Sequence, residues 1–114
     1  MPHFVVECSD TVLATHDEDN INEQLFFVAK ASGLFIESDI KVRVKPFANY
    51  RVGNKKVDFI HVFADIMQGR TQEQKAALSY AVVNKLVQLF PSVDNIAMNI
   101  RDFEKATYCN KGML

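Results

Sequence analysis

The sequence predicts an α+β fold, a four-stranded mixed sheet with two helices on one face, built from a β-α-β unit that occurs twice. Two internal matches carry this reading. His3-Phe4-Val5-Val6-Glu7 matches His61-Val62-Phe63-Ala64-Asp65 at an offset of 58 (61 − 3). Asp39-Ile40-Lys41-Val42-Arg43-Val44-Lys45-Pro46-Phe47 resembles Asn95-Ile96-Ala97-Met98-Asn99-Ile100-Arg101-Asp102-Phe103 at an offset of 56 (95 − 39). A segment of helical period lies between the members of each pair, so each half reads strand, helix, strand.

The elements follow in chain order. A first strand is expected over residues 3–8. The first helix is expected from about Asn20 to Ser32, where Asn20 and Glu23 have capping-box spacing. Ile21, Leu25, Val28 and Ala29 recur at three- and four-residue steps and give it one apolar face. Gly33 can end it in a left-handed conformation. A second strand covers 40–46, and Gly53-Asn54 supplies a turn before a third strand at 57–66. That third strand is apolar on both sides, which predicts burial of both its faces. The second helix runs from about Gln72 to Phe90, opened by a Thr71/Gln74 capping box and stopped by Pro91. Leu78, Ala81, Val82, Leu86 and Leu89 form its inward stripe. A fourth strand covers 95–101. Within each half the strands should run parallel with a right-handed crossover. The sheet face away from the helices carries Phe and Val side chains, so association with further copies is expected to cover it.

With 114 residues the chain is read as a single domain, 1–114, with halves at about 2–56 and 57–106 and a variable tail at 107–114. A 48% hydrophobic, 24% charged composition is that of a globular protein. The formal net charge of −1 argues against a nucleic-acid partner, so any anion must be held by locally placed cations. No apolar run reaches the length of a membrane span and no signal-peptide pattern opens the chain, so no membrane association and a cytoplasmic location are expected. Cys8 and Cys109 lack metal-type spacing. His3, His16 and His61 are too scattered to suggest a metal site, and His3 and His61 read as hydrogen-bonded strand residues. No cofactor motif is present.

The chemistry begins at Pro2. Initiator methionine is commonly trimmed before a small residue, and trimming would leave Pro2 with a free secondary amine. An α-amino group titrates near pH ~8. Burial or neighbouring cations lower that value and make the amine a general base at neutral pH. Such a base needs cations or donors beside it to bind an acidic substrate and disperse the charge left on carbon. Lys41 and Arg43, two apart on one strand, point to the same face. Arg70 follows Gly69 just before the second helix, where it can hold an anion together with the free amides of that helix start. Arg51, beside Tyr50 in a loop, is a further candidate for anion binding. Taken singly, each of these reads better as an ordinary surface charge than as a site residue.

Met67-Gln68-Gly69-Arg70-Thr71-Gln72-Glu73-Gln74-Lys75 resembles the strand-to-helix junction of the 4-oxalocrotonate tautomerases. The opening Pro2-His3-Phe4-Val5-Val6-Glu7-Cys8-Ser9-Asp10 is similar to that of the double-length 5-carboxymethyl-2-hydroxymuconate isomerases. The resemblance continues through Ser32-Gly33-Leu34-Phe35, Ile40-Lys41-Val42-Arg43-Val44 and Phe59-Ile60-His61-Val62, to about Phe103. It implies the tautomerase fold, a homotrimer, no cofactor, and a small unsaturated carboxylate substrate of the 2-hydroxymuconate type from aromatic breakdown. Pro2 would be the general base, and Arg70 a carboxylate or oxyanion contact. The family's strand arginine falls at Lys41, which keeps the charge and loses the two-pronged geometry; Arg43 is placed to compensate. Two other readings stay open at this stage. One is a tautomerase for a different enol; the other is a trimeric protein of this fold without activity, a reading that the Lys41 change keeps alive.

Overall fold

The computed structural model describes residues 1–114. Six main elements appear in the expected order: β1 (His3–Ser9), α1 (Glu18–Ala31), β2 (Lys41–Phe47), β3 (Phe59–Met67), α2 (Gln72–Leu89) and β4 (Asn95–Phe103). The sheet order is β2-β1-β3-β4. β1 pairs parallel with β2, β3 pairs parallel with β4, and β1 pairs antiparallel with β3. The sheet is therefore two parallel pairs joined back to back at the centre.

The register displays the duplication. His3 faces Asp65 and Glu7 faces His61 across the central antiparallel pair. Those four positions exchange under the 58-residue offset. His3 aligns with Lys41 and His61 with Ala97, which reproduces the 56-residue offset of the outer strands.

Alternation along the strands sends one set of side chains to the helices. Phe4, Val6 and Cys8 of β1 and Ile60, Val62 and Ala64 of β3 are buried against Ile21, Leu25 and Ala29 of α1 and Leu78, Val82 and Leu86 of α2. Burying one such Leu or Ile contributes about 2 kcal/mol. The buried Ser9 hydroxyl donates to Asp58 Oδ1 at 2.9 Å and accepts from Phe59 N at 3.2 Å, while the Thr11 hydroxyl donates to the same carboxylate oxygen. These bonds fasten the end of β1 to the start of β3.

Three expectations are corrected, the first at Ala81, which lies off the Leu78-Val82-Leu86 line that packs on the sheet and is exposed rather than inward. α1 starts a turn's fraction earlier than Asn20: Asp17 is its N-cap and accepts from Asn20 N at 2.8 Å. Asp17, Glu18 and Asp19 crowd that terminus, where the helix dipole favours negative charge. β3 is buried on one side only within the chain, since Phe59, His61, Phe63, Asp65 and Met67 remain partly accessible on the open face. The second helix is capped as read, with Thr71 Oγ1 accepting from Gln74 N (3.1 Å) and Gln74 Oε1 from Thr71 N (2.9 Å). Gly53-Asn54 forms a two-residue turn closed by paired Val52 and Lys55, with Gly53 at φ 57°. The tail is not structureless: Tyr108 stacks on Phe103 with ring centroids 5.5 Å apart.

Candidate active site

Because β1 and β2 run parallel in the register His3–Lys41, the starts of both strands meet at one end of the sheet. Lys41 N donates to Pro2 O at 3.1 Å, which pins the residue before β1 to the first residue of β2. Pro2 is fully buried. The Lys41 ammonium turns back toward the N-terminus, 3.3 Å from Asp39 O and 3.9 Å from Met1 Sδ. Arg43 lies on the same open face and its Nη1 is 3.2 Å from His3 Nδ1. A guanidinium only donates, so Nδ1 accepts and His3 is neutral in this contact. Burial pushes His3 below the ordinary histidine pKa, and Arg43 and Lys41 add to the effect while Asp65 opposes it.

Arg70 reaches the same region from the other half. Gly69 takes φ 120°, a conformation that L side chains rarely adopt, and so turns the chain from β3 toward α2. Arg70 Nη1 then donates to Met67 O at 3.2 Å and Nη2 to Leu34 O at 2.7 Å. Its Cζ lies 5.2 Å from the Phe35 ring centroid, and Phe35 meets Phe4 edge-on at 6.1 Å. The guanidinium thus joins the junction of the second half to the loop after α1 in the first, with donors to spare. The amides of α2 are less free than the sequence suggested, since Gln74 N is already taken by Thr71.

The electrostatics tie these residues to the chain start. Burial lowers the Met1 amine below its ordinary pKa; Arg70 and Lys41 lower it further and Asp39 opposes them. Lys41, which is bonded to Pro2, and Arg70 thus both act on the amine at the chain start, and Arg43 reaches His3 next to Pro2. Arg51 is not among them. It lies beyond the far end of β2, its Nη1 2.6 Å from Asn54 Oδ1, roughly 20 Å along a seven-residue strand from Pro2. A single chain therefore cannot use Arg51 and Pro2 on one small substrate.

Two cavities flank this end of the sheet. One of about 370 Å³ is lined by Gly33, Leu34, Gln68, Gly69, Arg70 and Gln74. Another of about 300 Å³ on the open face is lined by His3, Phe103, Glu104, Thr107 and Tyr108. Asp39, the Leu34 carbonyl, Phe35 under Arg70, and Glu104 were not assigned to the site from sequence. Asp39 was within reach: it stands two residues before Lys41, and the parallel pairing of the two strands carries it toward the chain start, where it acts on the Met1 amine.

The fold is shared with solved proteins of low sequence identity. A 5-carboxymethyl-2-hydroxymuconate isomerase from Deinococcus radiodurans R1 is 21% identical with TM-score 0.85, over 96% of this chain and 88% of that one. A fused 4-OT in an asymmetric trimer is 13% identical with TM-score 0.79, over 96% and 93% of the two chains. A macrophage migration inhibitory factor-like protein from Entamoeba histolytica is 15% identical with TM-score 0.73, over 96% and 95%. At these identities the likeness speaks for the fold alone. No curated protein matches the chain by sequence. The family model for 5-carboxymethyl-2-hydroxymuconate isomerase matches residues 2–111. With that match across nearly its whole length, on a duplicated β-α-β sheet whose two halves join through β1 and β3, the chain belongs to the 5-carboxymethyl-2-hydroxymuconate isomerase family.

Proposed function

We propose that the chain is a cofactor-independent tautomerase acting on 2-hydroxymuconate-type unsaturated carboxylates, with the Pro2 nitrogen as its general base once Met1 is removed. The observation that carries this reading is the fully buried Pro2, held by Lys41 N at the chain start, where burial above all, and then Arg70 and Lys41 against Asp39, lowers the pKa of the Met1 amine. Removal of Met1 moves the amine one residue inward, to a fully buried residue, and burial acts on it in the same direction.

In the step proposed, the Pro2 nitrogen takes the proton from the hydroxyl of the dienol. The O–H bond breaks and its electron pair spreads through the dienolate. The same proton then returns from the protonated proline to a distal carbon, a C–H bond forms, and the oxygen becomes a carbonyl. No electrons are gained or lost and no cofactor is needed. Arg70 and Lys41 hold the carboxylate and the developing oxyanion. Arg43 is positioned by neutral His3 for a second carboxylate. We further infer a homotrimer, the assembly named for the fused 4-OT neighbour, which covers the open sheet face.

One observation favours a second reading. Arg70 already donates to two carbonyls, which is what an arginine kept only for structure does. Turnover separates the two. A chain shown by mass spectrometry to start at Pro2 should ketonise 2-hydroxymuconate faster than phenylenolpyruvate. Pro2→Ala should reduce that rate by about 10²-fold or more. Unchanged tautomerisation in the correctly processed Pro2→Ala variant overturns the assignment of the base. The reverse substrate preference keeps the base and replaces the substrate.

A further inference from the structure

The 370 Å³ cavity at Arg70 has a neighbour. Leu34 and Gln74, two of its lining residues, also line a larger cavity of about 480 Å³ that runs between α1 and α2. Val28, Ala31, Leu34, Ala77, Leu78 and Ala81 give that second cavity a mainly apolar wall. Leu34 and Gln74 are walls of both, so a cationic cavity and an apolar one lie side by side. From Gln74 to Ala81 the groove follows α2 for roughly 10 Å, about the length of an extended eight-carbon chain.

We propose that the two act as one cleft that binds an amphipathic monocarboxylate, with its acid group on Arg70 and its saturated or aryl tail laid along the α1–α2 groove. The proposal rests on the reading of Arg70 as a carboxylate contact. Charge and shape select the occupant. Arg70 is the one charged residue lining either cavity, so the head must be an anion. The wall beyond Leu34 offers an acid little more than Ser32, Gln74 and Asn84, so the rest must be apolar. Volumes of this order suit small organic ligands. A dicarboxylate would leave its second charge against alanines, whereas a tail of methylenes gains affinity with each carbon buried. Since Arg70 would serve both ligands, such an acid would compete with the short unsaturated substrate. In that way the cleft would make the enzyme responsive to longer acids.

The test is binding of n-octanoate, butyrate and 1-octanol to the isotope-labelled full chain, followed by amide shifts in NMR. Octanoate should bind at least about tenfold more tightly than butyrate, with shifts at Ala31, Ala77 and Ala81. Octanol should bind more weakly than octanoate. Ala81→Phe, at an exposed helix position, should fill the groove and abolish octanoate binding while leaving the unfolding midpoint unchanged. Arg70→Gln should weaken octanoate and leave octanol unaffected. Equal affinity for octanoate and butyrate, or octanoate binding that survives Ala81→Phe, overturns the proposal. So do shifts centred on the separate exposed stripe of Tyr80, Val83 and Val87, and so does octanoate affinity that is indifferent to Arg70→Gln. Binding is read without turnover, so a chain that fails to tautomerise still tests the cleft. An active chain that ignores octanoate refutes the cleft alone.

Discussion

A secondary amine works as a base near neutral pH only if its protonated form is made unfavourable, and the residues around the chain start divide cleanly in that respect. At the Met1 amine, burial, Arg70 and Lys41 disfavour the cation and Asp39 favours it, and the same neighbours are expected to act on the Pro2 nitrogen once Met1 is removed. The base must be unprotonated, so turnover falls as pH drops through the amine pKa. Neutralising Lys41 (Lys41→Met) removes a cation, raises that pKa and moves the acid limb of the pH–rate profile upward. Asp39→Asn removes the opposing carboxylate and moves the limb downward. Opposite shifts of the two limbs, read in kcat/KM, are the expected outcome; shifts of the same sign contradict the placement. Pro2, Lys41 and Arg70 were legible as candidates because each stands in a short local pattern. Asp39 and Phe35 were not, because they join the site through strand register and a loop crossing that no local window contains. Arg51 was read as a candidate because charge in a loop looks the same at either end of a sheet.

At the scale of elements, helix ends decided what could be read. α2 carries one unambiguous capping box, and its start was found to the residue. Near α1, Asn20/Glu23 and Asp17/Asn20 both offer cap spacing, and the acidic run Asp17-Glu18-Asp19 settles the contest in favour of the earlier one. The strand positions were legible from the repeat itself. The burial of β3 was misread because an apolar run does not reveal whether its second face is covered by the chain or left open. The cap has a testable worth. Thr71→Ala should cost about 1 kcal/mol in denaturant unfolding. It should also lower catalytic efficiency, because Thr71 fixes the helix start next to Arg70. Loss of stability with catalysis untouched would show that the cap does not position the arginine.

The whole molecule leaves one sheet face open, and its composition differs from expectation. Phe and Val side chains were anticipated there, and Val5, Phe59 and Phe63 are present. Beside them lie Lys41, His3, Asp65 and Arg101 in one cross-strand row, with Lys45, Glu7 and His61 in another. Arg101 Nε and Nη2 reach the two Asp65 oxygens at 3.0 and 3.2 Å. Alternation puts Lys41, Arg43 and Lys45 on one face of β2, but only the register sets them level with the charges of β1, β3 and β4. In a lone chain the pair is largely exposed and contributes little. On a face closed by other copies, reversing it is costly. Sedimentation should give a mass about three times the 12.9 kDa chain, and Arg101→Glu should shift it toward monomer with the fold kept. A wild-type monomer would remove the trimer from the account. The most direct test remains the titration of the Pro2 nitrogen itself, followed by ¹⁵N NMR in a chain shown to begin at that residue. The expected pKa lies clearly below the ~8 of an ordinary α-amino group and coincides with the acid limb of turnover. A value at or above ~8, unresponsive to loss of Arg70 or Lys41, would contradict the assignment of the base.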